Sequence, residues 1–190
     1  MAELDDAALV LVDVQNDFCP GGALAVPDGD KTVPVLNREI ERFVAAGRPI
    51  VASRDWHPEQ TTHFQSGGGP WPVHCVAGHP GAAFHPDLKL PAQAIVVSKG
   101  TGATEDAYSA FQARDDAGRD LKRILHERGA KRLVVGGLTT DYCVRATVLD
   151  ALKSGYPVSV LRDGVRGVDV NAGDSARALD EMRAAGATIV

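Results

Sequence analysis

Three residues far apart in the chain, Asp13, Lys99 and Cys143, are of the types that together make an activated nucleophile. Asp13 follows the apolar run AALVLV, where a buried strand should carry no charge. An ionisable side chain in such a place needs a partner, because its charged form loses hydration. Lys99 closes another apolar run, AIVVSK, and the stretch GGLTTDYCV sets Cys143 in the first turn of a helix. Unpaired N–H groups and the positive end of the helix dipole favour a thiolate there. The same amides can hold an oxyanion formed on an attacked carbonyl. A carboxylate within reach can take the thiol proton, and an ammonium can hold the resulting charges together. Taken singly, each residue has a plainer reading: Asp13 as a turn former, Lys99 as a solvated strand end, Cys143 as a buried apolar filler. Their common location at strand ends favours chemistry.

A second group lies in RDWHPEQTTHF and WPVHC, which hold Asp55, His57, His63 and His74. Neutral imidazoles with a carboxylate suit zinc, iron or manganese, and the spacing is not that of a zinc finger. His79 and His85 fall in the same stretch, so a general richness in histidine is the competing explanation. Aromatic residues make up only 5% of the chain, yet Phe18, Trp56, Phe64, Trp71 and Tyr108 follow or lie between these candidates. Core packing would account for Phe64 and Trp56. A flat apolar slot beside a metal and a cysteine would accept a small aromatic ring.

These residues need a frame. Short β-branched runs recur at 9–14, 49–54, 94–99, 132–137, 157–162 and in the terminal TIV. They are almost continuously apolar, as in strands covered on both faces. Helical spacing appears over 33–46, 120–129, 139–155 and 173–186, stopped by Gly47, Gly129, Gly155 and Gly186. Strand–helix alternation predicts a three-layer α/β/α fold around a mostly parallel six-stranded sheet with right-handed crossovers. Open parallel sheets bind ligands beyond the carboxyl ends of their strands. Asp13, Asp55, Lys99 and the turn leading to Cys143 all lie at such ends, so Asp13 is expected to face Lys99. Residues 55–92 break the rhythm. They are rich in Pro and Gly and hold both tryptophans and five of the six histidines, which marks a functional, metal-binding loop insertion.

The totals exclude other classes. With 190 residues, 44% hydrophobic and 24% charged, the chain suits one globular domain. A net charge of -5 and the lack of a basic patch argue against a nucleic-acid partner. No apolar run reaches membrane length and MAELDDAAL lacks a basic signal head, so a cytoplasmic protein without a membrane partner is expected. Cys19, Cys75 and Cys143 form no CxxC pair and no disulfide framework, in keeping with a reducing compartment.

The motifs LVDVQNDFCPGGAL, ASRDWHPEQTTHF, WPVHC, VSKGTGATEDAYSAF and VVGGLTTDYCV, in this order over residues 9–145, resemble the nicotinamidases of the isochorismatase-like hydrolase superfamily. The resemblance implies hydrolysis of nicotinamide to nicotinate and ammonia in NAD salvage, with pyrazinamide as a further substrate, by a monomer or homodimer. By that likeness Cys143 is the nucleophile that forms a thioester, Asp13 the general base, and Lys99 the stabiliser of the charged intermediates. Backbone N–H groups of Thr139 and Cys143 would form the oxyanion hole, beside a cis peptide between Leu138 and Thr139. One divalent ion, zinc first and iron or manganese as alternatives, would be held by Asp55, His57 and His74, with His63 a direct ligand in some relatives. The ion would bind the ring nitrogen, and Phe18, Trp71 and Tyr108 would line the ring's slot. Another cysteine amidohydrolase of the superfamily is the nearest alternative; N-carbamoyl hydrolases lack the metal cluster, and the isochorismatase branch lacks the cysteine. A non-catalytic metal-binding or redox-sensing module would explain the histidines but not Asp13 and Lys99.

Overall fold

The computed structural model describes residues 4–190. Its six strands are β1 (Ala7–Val12), β2 (Ile50–Asp55), β3 (Ile95–Lys99), β4 (Arg132–Leu138), β5 (Val158–Arg166) and β6 (Thr188–Ile189). They form one sheet in the order β3-β2-β1-β4-β5-β6, and every pairing is parallel, where a mostly parallel sheet was expected. The helices are α1 (Thr32–Ala45), α2 (Leu121–Glu127), α3 (Arg145–Lys153) and α4 (Asp174–Ala184).

The period of two along β1 splits its side chains between two cores. Leu9 and Leu11 pack with Val33, Leu36, Ile40 and Phe43 of α1 on one face. Val10 and Val12 pack with Leu121, Ile124, Val148 and Met182, from α2, α3 and α4, on the other. Strand runs that are apolar throughout are thus explained by helices on both sides. Full burial of a side chain such as Phe43 is worth about 1.5–3 kcal/mol, an amount that side-chain and backbone entropy largely offset. Leu36 is wholly buried, and a Cβ on Gly136 would lie 2.6 Å from its Cδ2. The helix therefore sits close against β4 at that point. Truncating Leu36 to alanine would cost about 2–5 kcal/mol through the cavity left behind.

The strand order fixes where a site can form. β1 is flanked by β2 on one side and β4 on the other, so the chain reverses its direction of growth there and leaves a crevice at the carboxyl ends. Asp55 and Lys99 are paired across β2 and β3, and Val12 is opposite both Ser53 and Gly137. Gly137 has φ 127°, and a Cβ there would stand 2.0 Å from the Val12 carbonyl oxygen. Only glycine allows this approach of β4 to β1. No helix among the described residues is long and apolar enough to cross a membrane.

Candidate active site

β1 ends one residue before Asp13, which then turns away with φ 49°, an uncommon conformation for a residue with a side chain. The turn brings its carboxylate under the ends of β2 and β3. Ser53 Oγ donates to Asp13 Oδ1 at 2.7 Å, and Lys99 Nζ lies 2.9 Å from Oδ2. The same ammonium contacts Asp55 Oδ1 on its other side, and stands 3.4 Å from both Cys143 Sγ and the Ala107 carbonyl oxygen. Asp13, Asp55, Lys99 and Cys143 are all buried. One ammonium therefore serves two carboxylates and a thiol in a site that excludes water.

Burial sets the protonation of this group. It pushes the Asp13 carboxyl above its usual range, with the charge of Asp55 adding to it, although Lys99 opposes both. Burial would also raise Asp55, but Lys99 and His57 hold it well below the carboxylate range. For Lys99 burial works toward neutrality, and the two aspartates override it to keep the ammonium charged. Burial raises the Cys143 thiol well above its ordinary value, and the neighbouring carboxylates raise it further against the pull of Lys99. Cys143 does stand in a helical start, the π-turn Thr140–Val144 that runs into α3. The dipole argument for a resting thiolate is nevertheless outweighed, because a third negative charge would enter a dry site already holding two. The resting group is a thiol.

The histidines form the opposite wall. His57, His63 and His74 are buried, with ring centroids 4.7–5.6 Å apart, and they can offer ligand atoms within 4.8 Å of one another. Each has its Nδ1 against an oxygen: the Gly100 carbonyl at 3.0 Å, the Asp106 carboxylate at 2.8 Å and the Pro72 carbonyl at 2.7 Å, respectively. Such partners place the proton on Nδ1 and leave Nε2 as a lone pair, the tautomer that binds metal. The Nε2 of His57 is buried with no hydrogen-bond partner among the described residues, and Asp55 Oδ2 lies 3.8 Å from it. Burial lowers His74 to about 4, so its ring is neutral at ordinary pH. This donor set fits a divalent ion. His63 stands with His57 and His74, while Asp55 spans the histidines and Lys99.

Between the two walls is a cleft of about 320 Å³. Phe18, Trp71, Tyr108 and Tyr142 line it together with His63, His74, Thr139 and Cys143. Trp71 Nε1 donates to Tyr108 Oη at 3.0 Å, and its ring meets Tyr142 edge-on at 4.8 Å. The Leu138–Thr139 peptide is cis. Phe64 is elsewhere: it is fully buried behind the histidines, 5.3 Å from His57, and serves as their packing. Trp56 lies under the Arg54 guanidinium, 3.7 Å from ring centroid to Cζ, and also stays outside the cleft. Cys19 and Cys75 are buried and unpaired. Burial lifts Cys19 to about 11, with Asp30 adding to it, and lifts Cys75 well above its ordinary value.

Several supporting residues escaped the sequence reading. Gln15 donates to the Asp55 and Ala82 carbonyls at 2.8 and 2.9 Å and accepts from the Asp55 N–H at 2.8 Å. It thereby fixes the end of β2 to the loop beyond. Asp17 accepts from the Cys75 N–H at 2.7 Å, which anchors the residue after His74. Gly100 has φ 64°, and a Cβ there would fall 2.4 Å from His57 Cε1. The sequence signal for Gln15 and Asp17 was their place in QNDF directly after the charged strand end.

A model of the isochorismatase domain matches residues 7–190. The chain belongs to the isochorismatase family. It is 47% identical over 201 residues to the nicotinamidase of Escherichia coli, covering 96% of this chain and 93% of that protein. It is 42% identical to the nicotinamidase/pyrazinamidase of Mycobacterium tuberculosis, with 96% and 97% covered. Among solved structures, the pyrazinamidase of Pyrococcus horikoshii in complex with zinc superposes with a TM-score of 0.90 at 49% identity, covering 97% of this chain and 98% of that one.

Proposed function

We propose that this chain is a nicotinamidase, hydrolysing nicotinamide to nicotinate and ammonia, and pyrazinamide to pyrazinoate, in NAD salvage. The whole chain would act as one isochorismatase-like domain, with residues 55–92 as the insertion that brings the metal ligands. The observation that carries the reading is Lys99 Nζ, 2.9 Å from Asp13 and 3.4 Å from Cys143 Sγ, at a cleft whose far wall is the three-histidine cluster. Relatives named nicotinamidase match over nearly the full length.

In this proposal the carboxamide carbon lies at Cys143 Sγ. The sulfur attacks as its proton passes to Asp13, whose raised pKa suits it to accept one. Coupling proton transfer to attack avoids a free thiolate beside two carboxylates. The backbone N–H groups of Thr139 and Cys143 receive the oxyanion, and Lys99 balances the charge that appears between sulfur and Asp13. Asp13 then returns its proton to the departing nitrogen, and ammonia leaves a thioester. Water gives a proton to Asp13 and its oxygen to the thioester carbon, which releases the acid and restores the thiol. His57, His63, His74 and Asp55 would hold a divalent ion, with zinc the first choice, since a relative was crystallised with it. When bound, that ion would orient the substrate by its ring nitrogen. Phe18, Trp71 and Tyr108 would confine the ring in a near-attack position. Three unpaired thiols would persist in a reducing cytoplasm.

The test is ammonia release from nicotinamide by purified protein supplied with zinc. Turnover of nicotinamide supports the proposal. Turnover of an N-carbamoyl compound in its place would move the assignment to another cysteine amidohydrolase, and no turnover of either would reject it.

A further inference from the structure

The three clustered histidines are supported by oxygens of two kinds. His57 and His74 point Nδ1 at main-chain carbonyls, those of Gly100 and Pro72. Such acceptors are set by the path of the backbone, and no side-chain substitution at those two positions removes the oxygen. His63 alone relies on a side chain, with Nδ1 2.8 Å from Asp106 Oδ1. The Asp106 side chain is 64% exposed and that of His63 only 4%, so a solvent-facing carboxylate reaches in to hold a buried ring. Asp106 does not line the cleft.

The loop that carries Asp106 is itself fixed. The Thr62 N–H donates to the Ala103 carbonyl at 2.8 Å, which ties the residue before His63 to the same loop. Glu105 accepts from the Gly102 N–H at 3.0 Å and closes the loop on itself. His63 is therefore held twice by residues 99–108, through the neighbouring backbone and through its ring. A carboxylate on Nδ1 fixes the tautomer, orients the ring and makes Nε2 a better donor. Both remaining histidines already have this support from the main chain, so the strength of the third depends on Asp106.

We infer that Asp106 is a positioning residue for the metal centre: it holds His63 in the coordinating tautomer and thereby makes it a ligand alongside His57 and His74. The inference rests on the metal reading given above. It explains how one exposed side chain can set the grip of a buried site without touching the substrate.

The experiment titrates zinc into metal-stripped protein against a chromophoric chelator. Wild type, Asp106→Ala, Asp106→Asn, His63→Ala and the double variant Asp106→Ala/His63→Ala are compared. Asp106→Ala is expected to bind zinc about 10–100-fold more weakly, the range for loss of an outer partner of a ligating histidine. Asp106→Asn, which keeps an acceptor oxygen without the charge, should fall between it and wild type. The double variant should bind no more weakly than His63→Ala, because Asp106 acts through that ring. Affinity of Asp106→Ala within two-fold of wild type overturns the inference, as do losses that multiply in the double variant. A wild-type protein that takes up no zinc overturns the metal reading and this inference together, and the wild-type titration tells that failure from the others. The exposure of Asp106 favours folding of the variant, and circular dichroism of each metal-stripped protein checks it.

Discussion

Ser53 and Asp13 meet across the β1–β2 pair: the hydroxyl donates to Oδ1 at 2.7 Å and leaves Oδ2 to Lys99. This hydrogen bond favours the ionised form of Asp13 and opposes the upward push of burial. Ser53→Ala should raise the Asp13 pKa further. A protonated Asp13 cannot take the thiol proton, so activity is lost as pH falls through that pKa. The acid limb of kcat/KM should therefore move to higher pH in the variant. Stability should drop by about 1.5–3 kcal/mol, the worth of a buried hydrogen bond to a charged group. An unmoved acid limb in a folded variant would remove Asp13 from the role of base.

Cys143→Ala should abolish hydrolysis and leave both the fold and zinc uptake intact, since the thiol is not part of the three-histidine cluster. Asp13→Asn should cost at least about 100-fold in turnover, the lower range for loss of an acid–base group. It also leaves Lys99 with one carboxylate in place of two, so the melting temperature should fall. Turnover of Cys143→Ala within a few-fold of wild type would end the thioester mechanism.

Metal removal should act on substrate placement rather than on the thiol. Benzamide carries the same carboxamide as nicotinamide but no ring nitrogen. It should be a poor substrate of the zinc-loaded protein and lose comparatively little when zinc is stripped or when His57 is changed to alanine. A site built to pair with one polar atom rejects the analogue lacking it. The quantity to compare is the ratio of kcat/KM for the two amides, with and without metal. A constant ratio in folded protein would make the ion structural.

The cysteines differ in access rather than in burial alone. Cys143 lines the cleft and has Asp13 within 4.8 Å of its sulfur, whereas Cys19 and Cys75 do not line the cleft. A small alkylating amide should label Cys143 first near neutral pH, with nicotinate slowing it. Cys19, raised to about 11, should label slowly and about tenfold faster per pH unit below that value, as its thiolate fraction grows. Peptide mapping after timed labelling reads all three sites. Unprotected, faster reaction at Cys19 would shift the nucleophile to it.

Much of this was legible in the chain because polar residues interrupted apolar runs. Asp13 and Lys99 stood out for that reason, and strand–helix alternation placed them on one edge. The first strand was expected over 9–14 and forms at Ala7–Val12, since the pairing ends where Asp13 takes a positive φ. Cys143 was correctly set at a helical start, but only the assembled site reveals two carboxylates around it. Asp106 carried no signal as a support, and the place of Gln15 in QNDF marked the residue without naming its partner. Their partners lie 43 and 40 positions away, and periodicity carries no information about which distant groups will meet. Phe64 was ambiguous for a related reason: an aromatic next to a candidate ligand can line a slot or back a wall, and the choice is made by the third dimension.

Residues 99–108 supply the central ammonium, the carbonyl behind His57, the carboxylate behind His63 and the hydroxyl that receives Trp71. In the proposed mechanism, metal grip, proton transfer and ring shape would thus share one short frame. Substrate range is not free to drift alone in such an architecture. If the proposed function holds, an insertion or deletion that reshapes the slot through this loop would also change metal occupancy and the setting of Lys99, and new specificities would be reached more readily from Phe18 or Tyr142, which line the cleft from outside it.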